Sequence, residues 1–155
     1  MLFLFQKHKK IIAILLAVTL CCCGCDVATA LPDNPATVFA LSLSFDVTNQ
    51  FFEITLNNRS DHAYRFATGG NAQTPVDVYV RFGNEELIYT KEPIRNTIEI
   101  SANGQCVWRV PWQYKSVDPT RCSAHAELKL FSSIHDAANA AYVLKSPTIA
   151  LSEQH

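Results

Sequence analysis

Cysteine is the residue with the most chemistry to offer in this chain. Six are present, and four of them crowd into Cys21-Cys22-Cys23-Gly24-Cys25. A thiol can be acylated, oxidised to a disulfide or bound to a metal, and its surroundings decide among these. The cluster follows Lys7, Lys9 and Lys10 and the uncharged run Ile11 to Leu20. That run is too short to span a bilayer and has the length of the apolar region of an export leader. Cys122-Ser123-Ala124-His125 contains two metal-ligand types. Three residues apart on a strand they take opposite faces, so one strand cannot present both to one ion. Asn57, Ser60, Asp61 and His62 have the residue types of a hydrolase. Triads are assembled from distant segments, and Ser60 lacks the Gly-x-Ser-x-Gly elbow, so a hydrogen-bonded turn is the expectation. No catalytic residue, metal ligand or cofactor is assigned from these patterns.

A cysteine directly after such a leader resembles the lipobox of bacterial lipoproteins, in which the thiol is diacylated and becomes the new N-terminus. Cys25 has Gly24 before it and Cys22 at the place usually aliphatic; Cys23 has Leu20 at that place and Cys22 before it. Glycine at the cleaved position suits a small-residue protease pocket, so Cys25 is the expected lipidation site, with Cys23 as the alternative. The competing reading is an ordinary secretory leader cut near Ala28 or Ala30. The lipobox resemblance implies a protein of the bacterial cell envelope, held by lipid and facing the periplasm or the exterior. Acyl chains contribute ~0.8 kcal/mol per buried methylene, enough for stable anchoring when two or three are present.

The elements that must carry any site lie beyond this leader. The expected organisation is a leader over 1–24, a lipidated cysteine and flexible linker over 25–37, and one domain over 38–155. The linker, Asp26 to Thr37, is rich in alanine and proline and has no hydrophobic period. With the three leader lysines removed, ten basic residues face fourteen acidic ones. An acidic balance without a basic cluster argues against nucleic acid and leaves lipid as the route to the membrane. Cys106 and Cys122 are then the two thiols able to pair in an oxidising compartment, where a bridge would add ~3 kcal/mol. If their strands formed a simple hairpin the two would lie about 20 Å apart along the ladder, beyond disulfide reach, so their pairing is left open.

Strand periodicity dominates the body. Phe39, Leu41, Leu43, Phe45 and Val47 share one phase; Phe52, Ile54 and Leu56 share another; Val76, Val78, Val80 and Phe82 a third. Leu87 to Thr90 and Thr97 to Ile100 are shorter candidates. Cys106, Trp108, Val110 and Trp112 share a phase, as do Cys122, Ala124, Ala126, Leu128 and Leu130. A last edge strand is expected within Pro147 to Leu151, and Asp136 to Leu144, short and alanine-rich, is expected to be helical. The sum is an all-β protein, an immunoglobulin-like antiparallel β-sandwich of about seven to nine strands.

The order of these pieces resembles the BsuPI-like proteinase inhibitor family. The carriers are an apolar strand running into Asn58-Arg59-Ser60-Asp61, then Phe66 and Thr68-Gly69-Gly70, the strand Val76-Asp77-Val78-Tyr79-Val80, the turn Gly83-Asn84-Glu85, and Asn103-Gly104-Gln105 before Trp108 and Trp112. Gly70 and Asn103 depart from the family's glutamine and proline, and Asn71 to Pro75 intervene before the next strand. The resemblance implies an immunoglobulin-like fold and binding of a protein partner, a protease in its sharper form. Two loops are the candidates for contact. Ala67 to Pro75 is polar and flexible, with Thr68, Gly69, Gly70 and Asn71 at its centre. Tyr114 to Arg121 offers Lys115 and Arg121 to an acidic specificity pocket, as in substrate-like inhibition. The alternative partner is an envelope protein, bound by a structural or assembly lipoprotein through a sandwich edge. Trp108 and Trp112, on the Cys106 phase, are expected to pack in the core rather than to stack on a ligand.

Overall fold

The computed structural model describes residues 31–69, 75–88, 96–131 and 140–152. Alternation dictates most of what is seen. In β1 (Phe39–Asp46) Phe39, Leu41, Leu43 and Phe45 are buried, while Ser42 and Ser44 face solvent. β2 (Phe51–Asn58) buries Phe52, Ile54 and Leu56, and β8 (Ser123–Phe131) buries Ala124, Ala126, Leu128 and Leu130. Aromatic and branched side chains fit a pleated, half-buried surface, and their period of two sets the core face.

The remaining strands are β3 (Tyr64–Thr68), β4 (Val76–Phe82), β5 (Glu85–Ile88), β6 (Asn96–Ile100), β7 (Gln105–Pro111), β9 (Tyr142–Lys145) and β10 (Ile149–Ala150). One helical turn, α1 (Pro35–Val38), precedes β1, and its proline occupies a first-turn position where no N–H is needed. Two antiparallel sheets result. The smaller has the order β1-β2-β7; the larger runs β5-β4-β8-β3-β6, with β9 and β10 paired to β8. Their apolar faces meet in one core, and this all-β sandwich is the fold expected from the alternation.

β3 and β4 are nearly one strand. Thr68 pairs with Leu130 and Val76 with Leu128, while β9 occupies the other edge of β8 at the same two residues. Gly69 N–H still donates to Lys129 O, and Val76 takes up the same edge of β8 two residues beyond the partner of Thr68. β3 itself was not among the expected strands, because Tyr64 and Phe66 alternate too briefly before the buried pair Ala67 and Thr68.

The helix expected over Asp136 to Leu144 is corrected where it can be seen. Tyr142 to Leu144 belong to β9, held because Leu144 pairs with Leu128 and is buried there. Alanine content suggested helix, but tertiary pairing outweighs such a propensity. The start of that stretch, 136–139, lies outside the described residues. The last edge strand is present as β10. β7 and β8 do not form a hairpin: β7 pairs with β2 and β8 with β4, in different sheets.

Candidate contact surface

Strand registers define two ends of the sandwich. Phe39 faces Asn58 and Asn57 faces Gln105 at one end; Asp46 faces Phe51 and Phe51 faces Pro111 at the other. The chain enters at the first end, where Arg59 N–H donates to Val38 O at 2.8 Å. β1 then crosses about 24 Å of the domain at ordinary strand rise.

The entry end is closed by one buried amide. Asn58 is 3 % exposed. Its Nδ2 donates to His62 O at 2.7 Å and to Ser101 O at 2.8 Å, and its Oδ1 accepts from Ser60 N at 3.0 Å and Ser60 Oγ at 2.9 Å. Two donors and two lone pairs are thus all used. Asn103 N donates to Ser60 O and Gly104 N to Ser101 O, so the β2–β3 and β6–β7 turns form one unit. A Cβ on Gly104 would lie 3.0 Å from Ser101 O, a tight approach that glycine avoids. The Asn-Arg-Ser-Asp stretch is therefore a structural lock, and the triad types at Ser60, Asp61 and His62 make turn contacts. Asp61 and His62 pair with each other at the surface.

The opposite end is built differently. The turn between β1 and β2 is fixed by Asp46, whose carboxylate accepts from Asn49 N at 2.8 Å and Asn49 Nδ2 at 2.9 Å. These bonds hold the Asp46 pKa below its ordinary value. Gln50 closes the turn in the left-handed region, φ 53°, and its carbonyl accepts from Trp112 N at 2.8 Å. The Trp112 ring packs on Phe45, Phe52 and Tyr114, and its Nε1 donates to Tyr114 O at 2.9 Å. Both tryptophans pack partly buried against the core, as their phase requires.

From Trp112 the connector to β8 is tied at each step. Val117 N donates to Tyr114 O, which puts Lys115 and Ser116 at the corners of a tight turn. Asp118 then caps the 3₁₀ turn Pro119–Arg121, accepting from Thr120 N and Thr120 Oγ1, and these bonds lower its pKa. Lys115 is exposed. Arg121 lays its guanidinium over the Phe82 ring at 5.2 Å, so the two cations expected to serve one pocket have separate surroundings. Two hollows flank Gln50 and Phe51: one of about 470 Å³ lined by Trp112 and Lys115 to Pro119, another of about 580 Å³ lined by Ser44, Asp46, Val47, Phe51, Glu53 and Arg109. The second has no local signal along the chain, because Glu53 and Arg109 are 56 positions apart and meet only through the β2–β7 register.

The first candidate loop has a different character. Thr68 and Gly69 are buried; Thr68 belongs to β3 and Gly69 N–H donates to Lys129 O at 3.2 Å. Gly70 and Asn71 lie outside the described residues, as do Cys23 and Cys25. Gly69 meets Lys129 near the end of β8, whereas the connector joins its start, about 20 Å away at strand rise. The described start of the first loop and the connector thus sit at opposite ends of β8.

Cys106 and Cys122 are both free thiols. Cys106 Sγ lies 3.8 Å from Glu99 O and Cys122 Sγ 3.5 Å from Asp118 O, and burial pushes both pKa values up, away from reactivity. His125 stands on the face opposite Cys122's buried side chain, stacked on Tyr79 at 4.9 Å. Around it the outer face of the larger sheet carries ion pairs: Lys129 to Asp77 at 2.7 Å and Lys145 to Glu127 at 2.6 Å. Burial alone would raise the Glu127 pKa, but the Lys145 bond and the charges of Lys145 and His125 outweigh it and lower it. Among the described residues no group of three or more His, Cys, Asp or Glu is placed to hold a metal ion, and no helix is long and apolar enough to cross a membrane.

Comparison of the chain with protein-family models, with curated proteins and with solved structures returns no match. The BsuPI-like resemblance therefore rests on the residue pattern alone.

Proposed function

We propose that this chain is a lipid-anchored protein of the bacterial cell envelope whose β-sandwich binds another protein with the end away from its tether. One observation carries the reading. The segment entering the domain is already packed from Leu31 and buries Pro35, and it leads into β1 at the Val38 end, whereas the braced connector and the two hollows lie at the far end of β1. A partner approaching from outside the membrane meets that end first. Polar loops on a rigid scaffold are where binding residues concentrate.

In its sharper form the partner is a protease, as the family resemblance implies. The turn at Lys115 and Ser116 differs from the extended backbone that a protease aligns for cleavage. A connector of this shape inhibits by obstruction, with Lys115 offered to an acidic pocket, rather than by mimicking a substrate. The alternative, an assembly lipoprotein that scaffolds an envelope complex, is favoured by the outer edge of β1, which no strand pairs among the described residues.

The test is titration of serine, cysteine and metallo-proteases with the full chain in detergent. Stoichiometric inhibition lost in Lys115→Ala supports the protease form. Absence of inhibition in every class, with a stable envelope complex recovered, supports the assembly form. Cys25→Ala should release the chain from the membrane, and retention of that variant would contradict the anchor.

A further inference from the structure

Among the described residues the two outer edges of the smaller sheet, on β1 and β7, are unpaired and not alike. Trp112 N donates to Gln50 O and Asn58 N to Gly104 O, so the even-numbered residues along β7 bond β2. The odd-numbered ones, Val107, Arg109 and Pro111 among them, turn their backbone groups outwards. Pro111 has no N–H and Arg109 brings a charge, two ordinary protections of an edge. On the other side Arg59 N donates to Val38 O, so the even-numbered residues of β1 bond β2 and Leu41 and Leu43 turn N–H and C=O outwards. Among the described residues β1 pairs with β2 alone. Its eight residues, FALSLSFD, have no proline and no charge before Asp46, and they pair without a bulge.

The 580 Å³ hollow adjoins this edge through Ser44 and Asp46. Its charges do not cancel. Glu53 is neutralised by Arg109 at 2.9 Å, whereas Asp46 is held by the neutral Asn49. Val47 and Phe51 supply an apolar wall, and Phe51 already carries the Arg109 guanidinium at 5.1 Å. The hollow thus suits an aliphatic stem ending in a positive charge.

We propose that the open edge of β1 receives an extended segment of a partner protein, apolar at alternate positions, with one lysine or arginine on the other phase entering the hollow beside Asp46. Main-chain bonds to Leu41 and Leu43 would hold such a segment, and the hollow would select its side chain. A second copy of β1 fits less well, since FALSLSFD contains no basic residue. The proposal rests on the protein-binding reading above and gives it a surface and a sequence preference.

Two seven-residue probes of alternating valine and threonine, one with a central lysine and one with a central glutamate, test this on the full chain in detergent by residue-resolved hydrogen exchange. The lysine probe should slow exchange at the Leu41 and Leu43 amides and bind about tenfold tighter than the glutamate probe. Asp46→Asn should erase that preference. Ser44→Lys, which puts a cation in the hollow and leaves the backbone edge intact, should abolish binding without lowering the melting temperature. Equal binding of both probes, protection at Val107 and Arg109 instead, or a probe-independent dimer protecting Leu41 and Leu43 would overturn the proposal. Should β1 stay unprotected while a partner is still lost in Lys115→Ala, the edge assignment fails and the protein-binding reading stands.

Discussion

The two ends of the sandwich use polar residues for opposite purposes. At the entry end Asn58 spends every hydrogen-bonding group on its own fold, joining turns 43 residues apart, and little is left to offer a partner. At the far end the bonds of Asp46, Gln50, Trp112 and Asp118 fix backbone, while Lys115, Val47 and the walls of two hollows face outwards. One end is closed by its own hydrogen bonds, and the other, the contact end of the proposed reading, keeps a fixed backbone beside open hollows. Preorganisation of this kind lowers the ordering cost that association must overcome.

Four substitutions break or sharpen this contrast. Asn58→Leu should have the largest effect on stability, a loss of about 3 kcal/mol, because it leaves the buried carbonyl and amide partners of Asn58 unpaired. Denaturant unfolding measures it, and a loss under about 1 kcal/mol would deny the lock. Trp112→Ala removes a half-buried ring from Phe45 and Phe52 and should cost about 2 kcal/mol. Hydrogen exchange should then rise at Gln50 and along the connector while the Asn58 turns stay protected.

Smaller and pH-dependent is the part played by Glu127. A carboxylate whose pKa is lowered on folding stabilises above its unfolded value, near 4.5, and that stability is lost as pH falls through the folded value. Melting temperature should therefore drop as pH goes from about 5 towards 3, and Glu127→Gln should flatten part of the slope. Lys129 and Lys145 are raised by their hydrogen bonds to Asp77 and Glu127. Their contribution is complete below the ordinary lysine value of 10.5 and fades only as pH climbs through the folded values. Lys115→Ala should be smallest in stability, within about 0.5 kcal/mol of the parent, because the side chain is exposed. Its effect should fall on partner binding instead.

Legibility in the sequence followed the range of the interactions. β1, β2, β4 and β8 were readable because a period of two is local and each buries one phase. β9 was not, since Leu144 becomes a strand residue only by pairing with Leu128. Asn58 was seen as part of a turn, but its role as a lock needs Ser101. Lys115 and Arg121 look like a pair along the chain, but Arg121 lies over the Phe82 ring while Lys115 stands exposed in the turn before it. The hollow beside Asp46 was invisible because its walls come from β1, β2 and β7, joined by register alone.

The most direct test of a contact end and a structural end is site-specific photocrosslinking of the full chain in intact cells. A photoreactive residue would replace Val47 or Lys115 at the far end, or Arg59 at the entry end. Val47 and Lys115 should give the same discrete heteromeric adduct, and Arg59 none. Adducts from Arg59, with the far-end positions silent, would contradict this division of the ends.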